Sequence, residues 1–204
     1  MNMELMVLVS CLALGMSGLA QAFIIKGAYA FDDNAFIDAY LGSGGNVQVL
    51  TGSVTTILLG SDLSKEVLIW PGSGALGDGF IDLAFTDNVA FNGPGDDIAI
   101  FEAVNPESMN VTIELGGTMH LITPISASFT EGPSQNVALI DLDDFSFAPG
   151  AEISTLRLAY ATGYGGSEPT GVGALNSRAV PEPTTLALMG LGLAGIGWKR
   201  RKAA

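Results

Sequence analysis

The sequence is poor in basic residues, with 8 Lys and Arg against 21 Asp and Glu and a formal net charge of −13 at pH 7 over 204 residues. This shortage excludes a nucleic-acid-binding protein, because binding to phosphates requires a basic face. An intrinsically disordered acidic tail is excluded as well, since 48% of the residues are hydrophobic and disordered segments lack such apolar content.

Cysteine and histidine occur only once each, as Cys11 and His120. Cys11 lies within an apolar run that we expect to be removed, so disulfides are excluded as a source of stability for the remaining chain. With a single histidine, Ser-His-Asp catalysis would depend on His120 alone, and a zinc site would lack ligands. We therefore expect a surface role for His120.

Residues 111–121 predict a β-hairpin around Gly116-Gly117. A two-residue turn, which the glycines favour, would place Ile113 opposite His120. A three-residue loop would instead pair Leu115 with Met119 and place Glu114 opposite His120 on the solvent side. We favour the second register because a slip by one residue turns an apolar face outward.

The first 22 residues have the pattern of a secretory signal peptide that forms an N-terminal helix. An apolar run over residues 5–19 is followed by Ala20 and Ala22, the small residues expected before cleavage. The N-terminal flank departs from the pattern, because it contains Glu4 and no Lys or Arg. An uncleaved N-terminal anchor is therefore the alternative.

The C-terminal residues 180–204 consist of three parts. A box of Pro181, Glu182 and Pro183 precedes the apolar segment 184–198, and a basic tail follows, formed by Lys199, Arg200, Arg201 and Lys202. The fifteen residues of this segment are fewer than the ~20 that span a bilayer. The interfacial Trp198 and the adjacent cations nevertheless predict a C-terminal transmembrane helix with a cytoplasmic tail.

This ending resembles the PEP-CTERM sorting signal of Gram-negative bacteria that produce extracellular polysaccharide. The resemblance implies that an exosortase recognises the Pro-Glu-Pro box and releases the protein outward. The protein would then be anchored in the inner membrane transiently, before it reaches the cell surface or the extracellular matrix. A single-span anchor with a proline-rich stalk is the alternative.

The body between these ends, residues 23–179, is one domain by its length. It contains four basic and nineteen acidic residues, which give a formal charge of −15. Apolar residues alternate along it, for example Ile81, Leu83 and Phe85, and turn-forming clusters separate the short runs. This pattern predicts an all-β fold, a single β-sandwich of jelly-roll or similar topology.

A second resemblance covers part of the body. Residues 85–88 and 92–102 resemble the strand-turn-strand of some PEP-CTERM cell-surface domains, which look like galactose-binding-type sandwiches. Residues 168–175 resemble the closing strand of those domains. Glu168 and Thr170 stand where that family has two aspartates, so one carboxylate of any site formed there is lost.

Paired carboxylates are the candidate functional groups of the body. We predict that Asp32, Asp33, Asp96 and Asp97 lie in loops, where carboxylate and main-chain oxygens would bind calcium. The alternative is that these residues only end strands and start turns, which is the commoner role of Asp. Aromatic side chains such as Tyr164 or Trp70 would provide platforms for carbohydrate, although Trp70 lies in an apolar run typical of a core.

We therefore expect a non-enzymatic exported protein with a structural or adhesive role. Calcium-assisted binding of extracellular polysaccharide is its expected activity, and exosortase is its expected processing partner. The competing hypothesis is a small glycan-active enzyme that uses Asp96, Asp97 or Glu102 as paired carboxylates.

Overall fold

A computed structural model describes the central part of the chain. The described residues are 23–26, 28–49, 58–60, 62–63, 66–103, 109–113, 119–122, 125–127, 135–162 and 165–180. The predicted signal peptide, with Ala20 and Ala22, lies outside them, as does the predicted sorting segment from Pro181 onward. In the described part of the chain, no helix is long and apolar enough to cross a bilayer.

The described residues form sixteen strands and one short 3₁₀ helix, Leu142–Phe145. The strands are β1 (Phe23–Lys26), β2 (Tyr29–Asp32), β3 (Ala39–Gly44), β4 (Val47–Val49), β5 (Val67–Ile69), β6 (Phe80–Ala84), β7 (Asn88–Phe91), β8 (Ile98–Ala103), β9 (Met109–Ile113), β10 (Met119–Ile122), β11 (Ile125–Ala127), β12 (Gln135–Ile140), β13 (Glu152–Ile153), β14 (Thr155–Tyr160), β15 (Pro169–Ala174) and β16 (Ser177–Ala179).

The strands form two larger and three smaller antiparallel sheets. The larger sheets have the strand orders β10-β9-β14-β6-β3 and β11-β12-β8-β15. The smaller ones are β13-β7-β16, β1-β2 and β4-β5. The prediction of a mainly β fold is confirmed. A single sandwich and the two terminal helices stay predictions.

Residues from both larger sheets contribute to one buried cluster. The predicted apolar face of β6 is confirmed, because Ile81, Leu83 and the following Phe85 are buried whereas Thr86 is exposed. From the four-stranded sheet, Ile98 and Ile100 of β8 pack into the same cluster. The alternation of apolar residues thus identified the buried side chains of β6, since side chains two residues apart lie on the same face of a strand.

Strand β8 is buried on both faces. Its Ala99 and Phe101 belong to a second cluster, in which the Phe101 ring lies 5.8 Å from that of Phe31 and 6.3 Å from that of Phe36. Burial on both faces explains why the first four residues of this strand form a continuous apolar run. The two clusters make β8 the central strand of the fold.

The predicted register of the hairpin around Gly116-Gly117 is wrong. Strand β10 pairs with β9 so that His120 lies opposite Val111, not opposite Glu114 or Ile113. Leu121, which belongs to the apolar face that the favoured register turns inward, is 55% exposed. The turn residues and the apolar alternation favour different registers, and neither is the observed one. Strand β9 itself is fixed by its pairing with β14, where Val111 lies opposite the buried Leu158. That pairing constrains β9 independently of the turn.

Gly173 of β15 allows the second cluster to approach the sheet. A Cβ atom there would lie 2.7 Å from the Phe31 ring and 3.2 Å from the Phe36 ring.

We expect Gly173→Ala to lower the free energy of unfolding by about 1–3 kcal/mol, because the added methyl group overpacks this cluster. Urea unfolding of the full chain in mild detergent measures this change. Gly42→Ala in β3 is the matched control, because no atom lies within 4 Å of the added Cβ. Equal effects of the two substitutions would contradict the packing argument.

Candidate functional site

Three segments that are distant in sequence meet at the start of β8. Ile98 lies opposite Ile140 at the end of β12 and opposite Ala174 at the end of β15. Because neighbouring antiparallel strands run in opposite directions, β12 and β15 both end where β8 begins. The loop 92–97 therefore meets the 3₁₀ helix that follows β12 and the turn 175–176 that follows β15.

The carboxylate of Asp97 connects these three segments. Its side chain is fully buried, and its Oδ1 accepts hydrogen bonds from the Gly93 N–H (2.8 Å) and from Nδ2 of Asn176 (2.7 Å). The other oxygen, Oδ2, accepts one from the Leu142 N–H at 2.9 Å. A buried charge is tolerated only when it is paired or hydrogen-bonded, and here each segment supplies one donor.

A second set of hydrogen bonds holds the 3₁₀ helix in place. Asp141 caps its N-terminus, with Oδ1 accepting from the Asp143 N–H at 2.9 Å, as expected of an Asp at this position. The Nδ2 group of Asn92 donates to Oδ1 of Asp143 (2.8 Å) and to the main-chain oxygen of Phe147 (2.9 Å). The 3₁₀ helix is thus stabilised by the cap at its N-terminus and by the hydrogen bonds of Asn92 in the facing loop.

Negative charge is concentrated at this end of the sheets. The pKa of the exposed Asp96 is raised above its usual value of 3.8, first by partial burial and then by repulsion from Asp141, Asp97 and Asp144. Within the described ranges, no group of three or more His, Cys, Asp or Glu side chains is arranged to hold a metal ion. The carboxylates therefore share an electrostatic field but do not form a preformed metal site.

An open pocket of about 340 Å³ adjoins the acidic end. Its lining consists of Leu121, Ile122, Leu139, Ile140, Asp141, Asp144 and Phe145. Two of the carboxylates that repel Asp96 thus face this pocket. The pocket combines carboxylate hydrogen-bond acceptors with apolar side chains.

The other predicted carboxylate pair reaches the same neighbourhood from β2. Oδ2 of Asp32 accepts a hydrogen bond from the Ser177 hydroxyl at 2.9 Å. Ser177 follows Asn176, whose amide binds Asp97. Asp33 is exposed in the turn after β2. The structure therefore brings Asp32 and Asp97 to two consecutive residues, Asn176 at the end of the turn and Ser177 at the start of β16, from which they accept hydrogen bonds.

Glu102 lies near the opposite end of β8. It is fully buried, and its Oε1 accepts a weak hydrogen bond of 3.4 Å from the Glu168 N–H. Burial and the nearby Glu66 raise the pKa of Glu168. Five residues along a strand separate Asp97 from Glu102 by about 16 Å and place them on opposite faces. These two carboxylates do not converge on one substrate.

The predicted aromatic platforms are only partly described. Trp70 is half-buried, and its ring covers Gly166, where a Cβ would lie 2.8 Å from the indole. Its buried Nε1 has no hydrogen-bond partner. This close approach requires glycine at position 166. Tyr164 lies outside the described residues.

The sequence interpretation assigned no role at this site to Asn176, Asn92 or Asp141. Asp141 carried a local signal, since an Asp before Leu-Asp-Asp-Phe is a typical helix cap. Asn176 carried none, because it is 79 residues away from Asp97 in the chain.

Comparison with known proteins identifies the segment that begins at the last residue of β16. Residues 179–202 match the PEP-CTERM protein-sorting motif. The chain is therefore an exported protein with a membrane-anchored precursor. Its processing enzyme is an exosortase. Neither curated proteins nor solved structures include a significant match to the chain.

Asp97→Asn tests the role of the buried carboxylate. The amide replaces one acceptor with a donor that faces a backbone N–H, so we expect a loss of about 2–3 kcal/mol in the free energy of unfolding. Chemical unfolding of the full chain measures this loss. A change as small as that of an exposed substitution would contradict the connecting role.

Asp96→Asn is the matched control, and it has its own pH dependence. A raised pKa in the folded state means that ionisation of Asp96 opposes folding, so its contribution is favourable below pH 3.8 and is lost as the pH rises. We therefore expect Asp96→Asn to raise the unfolding midpoint at pH 7, but not below pH 3.8. A lower midpoint at pH 7 would show that the charge of Asp96 is stabilising.

Proposed function

We propose that the body is a non-catalytic structural or adhesive protein of the cell surface or extracellular matrix, folded as a single β-sandwich. The PEP-CTERM motif carries this proposal, because it marks the chain as exported cargo. The sandwich is supported by the cluster that β6 and β14 share with β8 and β12.

The hydrogen bonding of the carboxylates supports a non-catalytic role. Both oxygens of Asp97 accept hydrogen bonds from three segments. Asp82 forms a bidentate pair with Arg157 at 2.6 and 2.7 Å. Asp38 accepts hydrogen bonds from Thr86. Each of these groups stabilises a loop or strand, and a glycosidase pair would need two carboxyl groups roughly 5–10 Å apart across a cleft.

Extracellular polysaccharide is the ligand class that we propose for the pocket beside the acidic end. Asp141 and Asp144 would accept hydrogen bonds from sugar hydroxyls, and Phe145 would contact a sugar ring. Calcium would assist by reducing the repulsion from neighbouring carboxylates, which adds to partial burial in raising the pKa of Asp96. This part of the proposal uses Asp96 rather than Asp97, whose oxygens are already hydrogen-bonded.

Replacing Pro181, Glu182 and Pro183 with alanine tests the sorting step. We expect the variant to accumulate as an unprocessed, membrane-bound form, because the exosortase box is removed. Immunoblotting of membrane and released fractions measures the ratio of the two forms. Ser73→Ala in an exposed loop is the control and should be released normally. Normal release of the triple variant would contradict exosortase sorting.

A double substitution, Asp96→Asn with Asp144→Asn, tests calcium-assisted binding. We expect calcium to raise the thermal midpoint of the wild-type chain and to increase its retention on exopolysaccharide from the producing cells. Both effects should be lost in the double variant and kept in Asp33→Asn. Absence of both effects in the wild type would contradict calcium-assisted binding, and turnover of a glycan panel would contradict the non-catalytic role.

A further inference from the structure

Strand β16 joins the folded body directly to the sorting motif. Ala179 is the last residue of β16 and also the first residue that the motif matches. It lies opposite Asn88 of β7. The motif therefore begins inside the folded body, without an intervening linker.

Several contacts hold β16 on the body. Its three residues all pair with β7, from Ser177 opposite Ala90 to Ala179 opposite Asn88. Arg178 contacts Glu152 at 3.0 Å, and its guanidinium lies 5.1 Å from the centre of the Phe91 ring. The exposed ion pair contributes little by itself, but the Asp32–Ser177 hydrogen bond fixes the other end of the strand.

The last described contact lies one residue before the Pro-Glu-Pro box. The Val180 N–H donates to the main-chain oxygen of Asp87 at 3.0 Å. From Val180 to Thr184, where the predicted span begins, four residue steps reach at most about 14 Å. The headgroup layer takes up about 5–8 Å of that distance. The turn that contains Asp87 is therefore held within about 9 Å of the lipid headgroups.

We propose that in the anchored precursor the turn between β6 and β7 lies against the outer headgroup layer of the membrane. We call this surface the turn face and define it by Thr86, Asp87, Asp38 and Ser154, of which Thr86, Asp87 and Ser154 are exposed. Phe85 and Ser154 are joined by a main-chain hydrogen bond of 2.8 Å. The proposal rests on the membrane-anchored precursor and on the predicted span 184–198. The lipid surface is the partner that we propose for the turn face.

The opposite end of the five-stranded sheet then points away from the membrane. Strand β6 has five residues, which extend over about 17 Å. The loop 71–79 precedes this strand, and Tyr160 at the end of β14 donates its N–H to the Gly79 oxygen at 2.9 Å. Loop 71–79 is therefore separated from the turn face by about one strand length, and the proposed orientation places it on the side away from the lipid.

The charge of the turn face explains why this contact ends with processing. Asp38 lies at the turn, where its carboxylate accepts hydrogen bonds from the Thr86 N–H (2.9 Å) and the Asp87 N–H (3.3 Å). The carboxyl groups of Asp38 and Asp87 would be repelled by the negatively charged lipid phosphates beside them. The covalent segment, rather than attraction, thus keeps the body at the membrane, and cleavage of that segment removes the constraint.

Site-specific fluorescence in liposomes tests the orientation. Cys11 is the only cysteine, so a Cys11→Ser background allows single labels at Asp87→Cys, Ser154→Cys or Ser73→Cys in the full chain. The liposomes carry nitroxide-labelled headgroups as quenchers. We expect severalfold stronger quenching at positions 87 and 154 than at position 73. Equal quenching at all three positions, or stronger quenching at 73, would overturn the proposal.

A linker insertion provides the second readout. About ten Gly and Ser residues between Val180 and Pro181 add a flexible reach of about 17 Å, so most of the difference between the labels should disappear. An unchanged difference would contradict the proposal that the short connecting segment holds the turn face at the membrane.

Flotation with the liposomes distinguishes a failure of membrane anchoring from a failure of the proposed orientation. A chain that does not float contradicts the anchored precursor itself, whereas a floating chain with equal quenching contradicts only the orientation.

Discussion

The buried carboxylate of Asp97 is the interaction on which the acidic end of the fold depends. A charge in this position is stable only while N–H groups surround it. Those groups come from the loop before β8, from the start of the 3₁₀ helix and from the turn after β15. The apparent functional motif Asp96-Asp97 therefore divides into two residues with different roles. Asp97 organises the loops, and Asp96 contributes its charge to the surface.

The central strand imposes a second constraint, because apolar side chains cover both faces of β8. The body contains no cysteine, so packing must supply the stability that disulfides supply in many small exported domains. Aromatic rings from the β2 region cover the outer face of this sheet, and they can approach it because Gly173 lacks a side chain. The packing of these rings therefore depends on a glycine at position 173 of β15.

Local patterns predicted those parts of the fold that depend on one segment at a time. The alternation of Ile81, Leu83 and Phe85 was sufficient to identify a strand and its buried face, and the sorting motif is contained in consecutive residues. The register of β10 was not accessible in this way, because the glycine turn and the apolar alternation favour different registers and the observed pairing follows neither. Likewise, the partnership of Asp97 with Asn176 depends on the return of β15 to β8, which no local pattern records.

The position of β15 and β16 has a consequence for the order of events during export. Strand β15 pairs with the central strand β8 and contributes Val172 and Ala174 to the core. These residues come within about a dozen positions of the predicted span, so the core remains open until almost the whole body has left the cytoplasm. Completion of folding is then coupled to the arrival of the C-terminal anchor in the membrane. Long-range strand pairing of this kind is slow, which favours passage of the chain before it becomes too compact to translocate.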